Sequence, residues 1–317
     1  MALKEKIKRL TNILSSCTLC PHRCRVDRLA GEKGFCGAGS DAVISSAMPH
    51  HGEEPPISGT KGSGTIFFSY CNMRCSYCQN YQISQEHEGK RVTSEILARR
   101  MLELQEYGVH NINLVSPTIW LPRILEALYI ARASGFDLPL VYNTGGYDDP
   151  AFIRMLEGIV DIYMPDMRYS SDAVAEKYSS VKGYVRYNRA SVAEMFRQVG
   201  SLTLDKDGIA SRGLLIRLLV MPGDIAGIKD TLDFLKAHLS HRIYLSIMAQ
   251  YHPAYRACDF PELSRRITAG EYAAVIKYAR KLGFTYGWTQ DHGGLDMEND
   301  QFIPDFNDRH VFRYYRK

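Results

Sequence analysis

The chain has 317 residues, 45% of them hydrophobic and 23% charged, the balance of an ordinary globular protein with a sizeable core. A formal charge of +4 is small for this length and argues for neither nucleic-acid nor membrane binding. The stretch Met1–Leu10 lacks the apolar run of a signal peptide, and no later stretch is long enough to cross a bilayer, so a cytoplasmic protein is expected.

Residues 1 to 16 carry Leu3, Ile7, Leu10 and Leu14 at helical spacing, which predicts a short amphipathic packing helix. Cys17, Cys20, Cys24 and Cys36 follow among Pro and Gly. Four thiols brought together by tight turns are what a small closed metal knuckle requires, and the set suits zinc and an iron-sulfur cluster equally. His22 is expected to be solvated, with replacement of one sulfur as the alternative. In a cytosolic chain, grouped cysteines point to metal ligands rather than disulfides, and the lone Cys258 to a structural residue. Residues 40 to 64, with Pro49, Pro55, Pro56 and four glycines, predict a connector loop. Its glycines are not spaced to cradle a nucleotide triphosphate. His50, His51, Glu53 and Glu54 are expected on a solvated part of that loop, with lining of a substrate pocket as the alternative.

The apolar run Thr65–Ser69 predicts a strand, and directly after it come Cys71, Cys75 and Cys78 at C-x3-C-x2-C spacing. Three thiolates on one loop can hold three irons of a cubane cluster and leave the fourth open to a ligand. A zinc site borrowing His87, or three buried thiols, are the alternatives. Further strands are expected near 111–115, 138–142, 159–164, 214–220 and 243–248. Helices are expected over 94–107, 121–133, 150–157, 185–199, 228–238 and 270–282. Successive β-α units imply parallel pairing, hence an α/β fold with an incomplete (β/α)6 parallel barrel over residues 65–317, including a C-terminal tail. Residues 1–64 would form the N-terminal helix, the cysteine-rich knuckle and the connector. The run Phe284–Trp288 would add a strand or belong to the tail. Parallel barrels carry their sites at the carboxyl ends of the strands, where the cysteine loop lies.

The cysteine spacing, the aromatic Tyr77 before the third cysteine and the preceding strand together resemble the signature of the radical S-adenosylmethionine (SAM) superfamily. The resemblance implies a [4Fe-4S] cluster ligated by Cys71, Cys75 and Cys78, with SAM on the open iron. It also implies reductive cleavage of SAM to a 5′-deoxyadenosyl radical that abstracts hydrogen from a substrate. The strand ends are similar to those of pyruvate formate-lyase activating enzyme and its relatives, in a branch that carries the leading four-cysteine motif. Asn143 and Thr144 in Tyr142–Tyr147 match the ribose-contacting stretch, and Asp166 with Arg168 matches an Asp-x-Lys turn. Arg217 matches a strand arginine, expected here to meet the SAM carboxylate, and His252 matches a pocket histidine. The Gly-Gly-Glu that ends the second strand in most members is absent; Asn113, Ser116 or Thr118 would make its contact. The implied activity is that of an oxidoreductase. A flavodoxin or ferredoxin would be the electron donor, and a glycyl-radical enzyme the protein substrate. The alternatives are modification of another peptide or small molecule with an auxiliary cluster, and a non-enzymatic metal-binding scaffold.

Overall fold

The computed structural model describes residues 1–290 together with 304–306, 308, 311 and 312. The chain opens on α1 (Leu3–Ile13) and a 3-10 turn at Leu14–Ser16 that leads into the first cysteines. After them come β1 (Ala42–His50), α2 (Pro55–Ser58), β2 (Ser63–Phe68), α3 (Tyr81–Ser84) and β3 (Lys90–Val92). Helix and strand then alternate through α4 (Ser94–Glu106), β4 (Ile112–Val115), α5 (Leu121–Ala133), β5 (Leu140–Thr144), α6 (Pro150–Met155) and β6 (Ile162–Pro165). The helices α7 (Asp172–Ser179) and α8 (Tyr184–Val199) and the short β7 (Thr203–Leu204) precede β8 (Ala210–Leu219). The described part closes with α9 (Ile228–His238), β9 (Tyr244–Met248), α10 (Ala269–Lys281) and β10 (Gly287–Thr289). Most of the expected C-terminal tail lies outside the described residues. Among the described residues, no helix is long and apolar enough to cross a membrane.

The strand order is β10-β9-β8-β6-β5-β4-β2-β1-β3, and its two ends do not pair with each other. From β2 to β10 every pairing along this path is parallel, whereas β1 runs antiparallel to both β2 and β3. The fold is therefore an unclosed parallel α/β sheet of the partial-barrel kind, with β10 as a seventh parallel strand supplied by the run at 284–288. Side chains alternate between its faces, as the period of a strand requires. Ile66, Leu114, Tyr142, Tyr163 and Leu214 pack with the helices, while Val141, Ile162, Met164 and Leu215 form a separate cluster on the other face.

The connector is where the sequence reading fails. Instead of a loop, residues 42–50 form a strand that extends the sheet, despite Pro49. Only Ala42–Ile44 pair with β3, so Pro49 lies on the stretch bonded to β2 alone and its missing N–H costs no ladder bond. The following turn is not solvated either. Ile57 is fully buried in the cluster formed by Val141, Ile162, Met164 and Leu215, so α2 acts as a plug on the concave face of the sheet. Asn111 Nδ2 holds the plug by donating to the Ile57 carbonyl at 2.8 Å, and Ser63 Oγ donates to Asn111 Oδ1 at 2.6 Å. Replacing Ile57 with Ala should destabilise the protein by about 2–4 kcal/mol, the cost of a core truncation. Denaturant unfolding checks this; a change within about 0.5 kcal/mol, usual for surface positions, would return the turn to a solvated loop.

Candidate active site

The cysteine loop leaves β2 through Tyr70, which takes a left-handed φ of 65°. Buried Trp120 fixes this exit by donating Nε1–H to the Ser69 carbonyl at 2.9 Å. The loop is then clamped by its neighbours: Arg74 and Ser76 donate backbone N–H groups to the carbonyls of Ser179 and Tyr178, and Asn72 Nδ2 donates to the Tyr147 carbonyl at 2.5 Å. Each sulfur has a hydrogen-bonding neighbour. The Met73 N–H donates to Cys71 Sγ at 3.4 Å, Ser179 Oγ donates to Cys75 Sγ at 3.0 Å, and Ser84 Oγ lies 3.2 Å from Cys78 Sγ. Arg168 Nη1 also approaches Cys75 Sγ at 3.7 Å. Burial, with the charge of Cys75 added, pushes Cys71 up to about 12 and Cys78 up to about 11. Thiols crowded in this way gain from a cation that takes their charge.

Parallel register brings the other strand ends to the same place. Phe67, Val115 and Asn143 are aligned across β2, β4 and β5, and a single bridge aligns Asp166 with Arg217. A pocket of about 210 Å³ lies over this row, lined by Tyr77, Cys78, Ser116, Asn143, Thr144, Asp166, Arg168, Arg217 and His252. All seven strand-end and aromatic residues expected to bind cofactor are thus brought together. Cys71 and Cys75 do not line the cavity themselves but sit on the loop that borders it. Ser116 has a left-handed φ of 59°, an uncommon conformation for a serine and one found disproportionately at functional sites. Gly146 has to be glycine, because a Cβ there would stand 2.2 Å from both Asn188 Nδ2 and the Asp166 carbonyl.

Several contacts were not foreseen. Arg217, expected to be available to a ligand carboxylate, is already engaged: its Nε and Nη2 donate to Glu54 at 2.7 and 2.6 Å, and Nη2 also meets Glu53. Asn113 donates to Glu53 Oε1 at 2.9 Å, and Glu53 lines the pocket together with His50. The expectation of a solvated 50–54 stretch fails because Arg217, itself largely withdrawn from water, pairs with both carboxylates at the pocket; only His51 and Gly52 of this stretch are exposed. Beneath Thr144, the fully enclosed Asp148 accepts from Thr118 Oγ1 at 2.7 Å, Thr144 Oγ1 at 2.8 Å and the Tyr142 hydroxyl at 2.9 Å. Burial raises its pKa and the three hydroxyls oppose that rise, so Asp148 anchors the strand-end turn. His252 receives Arg266 Nη2 at 3.2 Å from Nδ1. At the mouth, Phe312 stacks on His50 with ring centroids 4.4 Å apart.

Cys17, Cys20, Cys24 and Cys36 all line one small cavity of about 10 Å³. Among the described residues, no three His, Cys, Asp or Glu side chains, in this knuckle or elsewhere, are gathered as a ready-made metal site. His22 is neither solvated nor turned to the sulfurs. It stacks on Phe35 at 3.7 Å between centroids and hydrogen-bonds the Asn72 carbonyl at 2.9 Å. Arg74 lies 4.3 Å over the Phe35 ring, so the knuckle docks directly on the Cys71–Cys78 loop. Sequence reasoning had no signal for this docking, since His22 and Phe35 are separated from their partners by tens of residues.

The Radical SAM superfamily model matches residues 65–235, more than half of the chain. The uncharacterized protein MJ0674 of Methanocaldococcus jannaschii is 30% identical over 289 residues, covering 88% of this chain and 78% of that protein. The chain belongs to the radical SAM superfamily. Among solved structures, a radical SAM methyltransferase from Sphaerobacter thermophilus matches at 15% identity with a TM-score of 0.49, over 71% of this chain and 65% of that one. Streptococcus suis SuiB, bound to its precursor peptide SuiA, matches at 10% identity with a TM-score of 0.49, over 74% and 50%. The chain therefore spans between half and two thirds of the length of these two solved proteins. The family implies a [4Fe-4S] cluster and SAM, and the donor set on the cysteine loop fits by its chemistry: three sulfurs on one clamped turn, each with a hydrogen-bonding neighbour, not gathered as a site for a single ion. Anaerobic reconstitution should load iron and sulfide on this loop, and replacing Cys71, Cys75 and Cys78 together with alanine should remove that complement while the fold persists by circular dichroism. Full retention of iron by the triple variant would contradict the assignment.

Proposed function

We propose that the chain binds SAM in the strand-end pocket and uses it to abstract hydrogen from a backbone glycine of a partner enzyme, as a glycyl-radical-enzyme activase. The observation that carries the SAM reading is the single pocket that gathers Cys78 with Ser116, Asn143, Thr144, Asp166, Arg217 and His252. When bound, the cluster supplies one electron to the SAM sulfonium, which gives methionine and a 5′-deoxyadenosyl radical. The protein's part is to hold and to shield. Asn143 and Thr144 offer an amide and a hydroxyl at a strand end held from below by Asp148. Arg168, paired with Asp166 at 2.5 Å, keeps a positive charge beside Cys75. Phe67 and Phe312 line one wall and limit the entry of water, which would otherwise be a competing partner for a reactive species.

The glycine target is supported by the unclosed sheet, which leaves a side through which a peptide loop can approach, and by the likeness of the strand-end sequences to the activases. A glycine Cα radical is stabilised by flanking amides and is not crowded by a side chain. The electron donor would be a reduced flavodoxin or ferredoxin, and the setting cytoplasmic. A second reading, modification of another peptide or a small molecule with an auxiliary metal centre, is favoured by the four cysteines around one cavity and by their docking on the radical loop.

Two experiments separate these readings. With SAM and a reductant, the reconstituted protein should form 5′-deoxyadenosine, and with a cognate glycyl-radical enzyme it should produce a persistent glycyl EPR doublet. Deoxyadenosine without the doublet, accompanied by a stable mass change on another target, would exclude the activase role and leave the SAM reading intact. Elemental analysis of the Cys71, Cys75, Cys78 triple variant isolates the knuckle: zinc or iron is expected there, and finding neither would remove the second metal centre.

A further inference from the structure

A line of buried hydroxyls ends on the cysteine loop. Ser179 Oγ donates to Cys75 Sγ at 3.0 Å, the Tyr169 hydroxyl lies 2.7 Å from Ser179 Oγ, and the Tyr77 hydroxyl lies 2.6 Å from that of Tyr169. All four residues are buried, so water does not compete for these bonds. Each hydroxyl has a single hydrogen to give. Ser179 gives its own to the sulfur, so it accepts from Tyr169, and Tyr169 in turn accepts from Tyr77. Cys75 at the end thus sets the direction of the whole line, and each bond polarises the next toward the sulfur. Satisfying buried tyrosines does not require this arrangement: Tyr147, Tyr251 and Tyr272 each donate to a backbone carbonyl, of Lys182, Leu263 and Ile247. The backbone also fixes the donor. Arg74 and Ser76, on either side of Cys75, give their N–H groups to the carbonyls of Ser179 and Tyr178, so the turn that clamps the loop also holds Ser179 Oγ against the sulfur.

A hydrogen bond to a ligating sulfur favours the state in which that sulfur carries more negative charge, and hydrogen bonds to the sulfurs are among the factors that set an iron-sulfur potential. We propose that Ser179, polarised through Tyr169 and Tyr77, is a positioning residue that raises the reduction potential of the cluster by way of Cys75. The inference rests on the assignment of the cluster to Cys71, Cys75 and Cys78. One electron passes to the cluster from a one-electron donor protein of the ferredoxin or flavodoxin class; no bond of the hydroxyl line is made or broken, and no proton leaves it. The line makes that electron easier to accept because its donated hydrogen meets the charge that reduction adds at Cys75. Arg168 Nη1, 3.7 Å from the same sulfur, acts in the same sense.

The test is an anaerobic redox titration of the cluster-reconstituted chain, followed by the EPR signal of the reduced cluster. Ser179→Ala removes the donor to Cys75 and should disfavour one-electron reduction by about three- to tenfold, with iron content unchanged. At about 59 mV per tenfold for one electron, that is a drop in potential of about 30–60 mV. Tyr169→Phe leaves Ser179 in place and removes only its polarising partner, so its drop should have the same sign and be smaller. Tyr272→Phe removes a buried hydroxyl outside the line and should leave the potential where it is. Where Ser179→Ala fails to hold iron, Tyr169→Phe carries the test. Unchanged potentials in the variants of the line with iron intact, or an equal drop in Tyr272→Phe, would overturn the role of Ser179 and leave the cluster assignment standing. A wild-type chain that holds no iron on Cys71, Cys75 and Cys78 would overturn both.

Discussion

A guanidinium largely withdrawn from water at the wall of a pocket needs a carboxylate beside it, and in this protein that requirement reaches across most of the chain. Arg217 lies on β8, yet its two partners, Glu53 and Glu54, come from the connector between β1 and β2. Breaking a buried pair of this kind costs about 3–5 kcal/mol, because the remaining charge is stranded. The connector is consequently held inside the fold: the glutamates fix its start, Ile57 fills the apolar hollow beneath, and Asn111 ties it to β4. The segment before the first parallel strand is thus a structural part of the barrel, and it supplies the floor on which the pocket rests.

Above that floor, parallel pairing does the rest. β2, β4, β5, β6, β8 and β9 all point their carboxyl ends the same way, so residues widely separated in sequence converge without any one loop having to carry them all. The cysteine loop leaves the first of these ends and is clamped by the turns that follow β5 and by α7. The knuckle adds a further brace from outside through His22 on the Asn72 carbonyl and Phe35 under Arg74. Arg74 also donates Nη2 to the Phe35 carbonyl at 2.7 Å, so a displacement of the knuckle would be felt directly at the cysteine loop.

Much of this was legible because it is local. Alternating apolar runs mark the six central strands, and helix stripes such as Leu97, Met101 and Leu104 mark the packing faces. The motif at Cys71, Cys75 and Cys78 carries its own chemistry in its spacing, and the strand-end residues stood out through their resemblance to activase strand ends together with their common place at the ends of the runs. What escaped depends on partners distant in sequence. Pro49 argues against a strand unless the ladder is known to lack a neighbour on that side. Glu53 and Glu54 look like surface acids until Arg217 is placed beside them. Arg217, in turn, looks like a ligand contact until those acids occupy it. Helix α7 was missed because its eight residues are short and mostly polar, although it provides Ser179 to the Cys75 sulfur.

With only Cys71, Cys75 and Cys78 as proposed ligands, one iron of the cluster would be left open to SAM. Mössbauer spectroscopy of the reconstituted protein, recorded before and after SAM is added, addresses this most directly. A single iron site should change its isomer shift on addition of SAM while the other three keep theirs. A spectrum that SAM leaves unchanged at every site would contradict it.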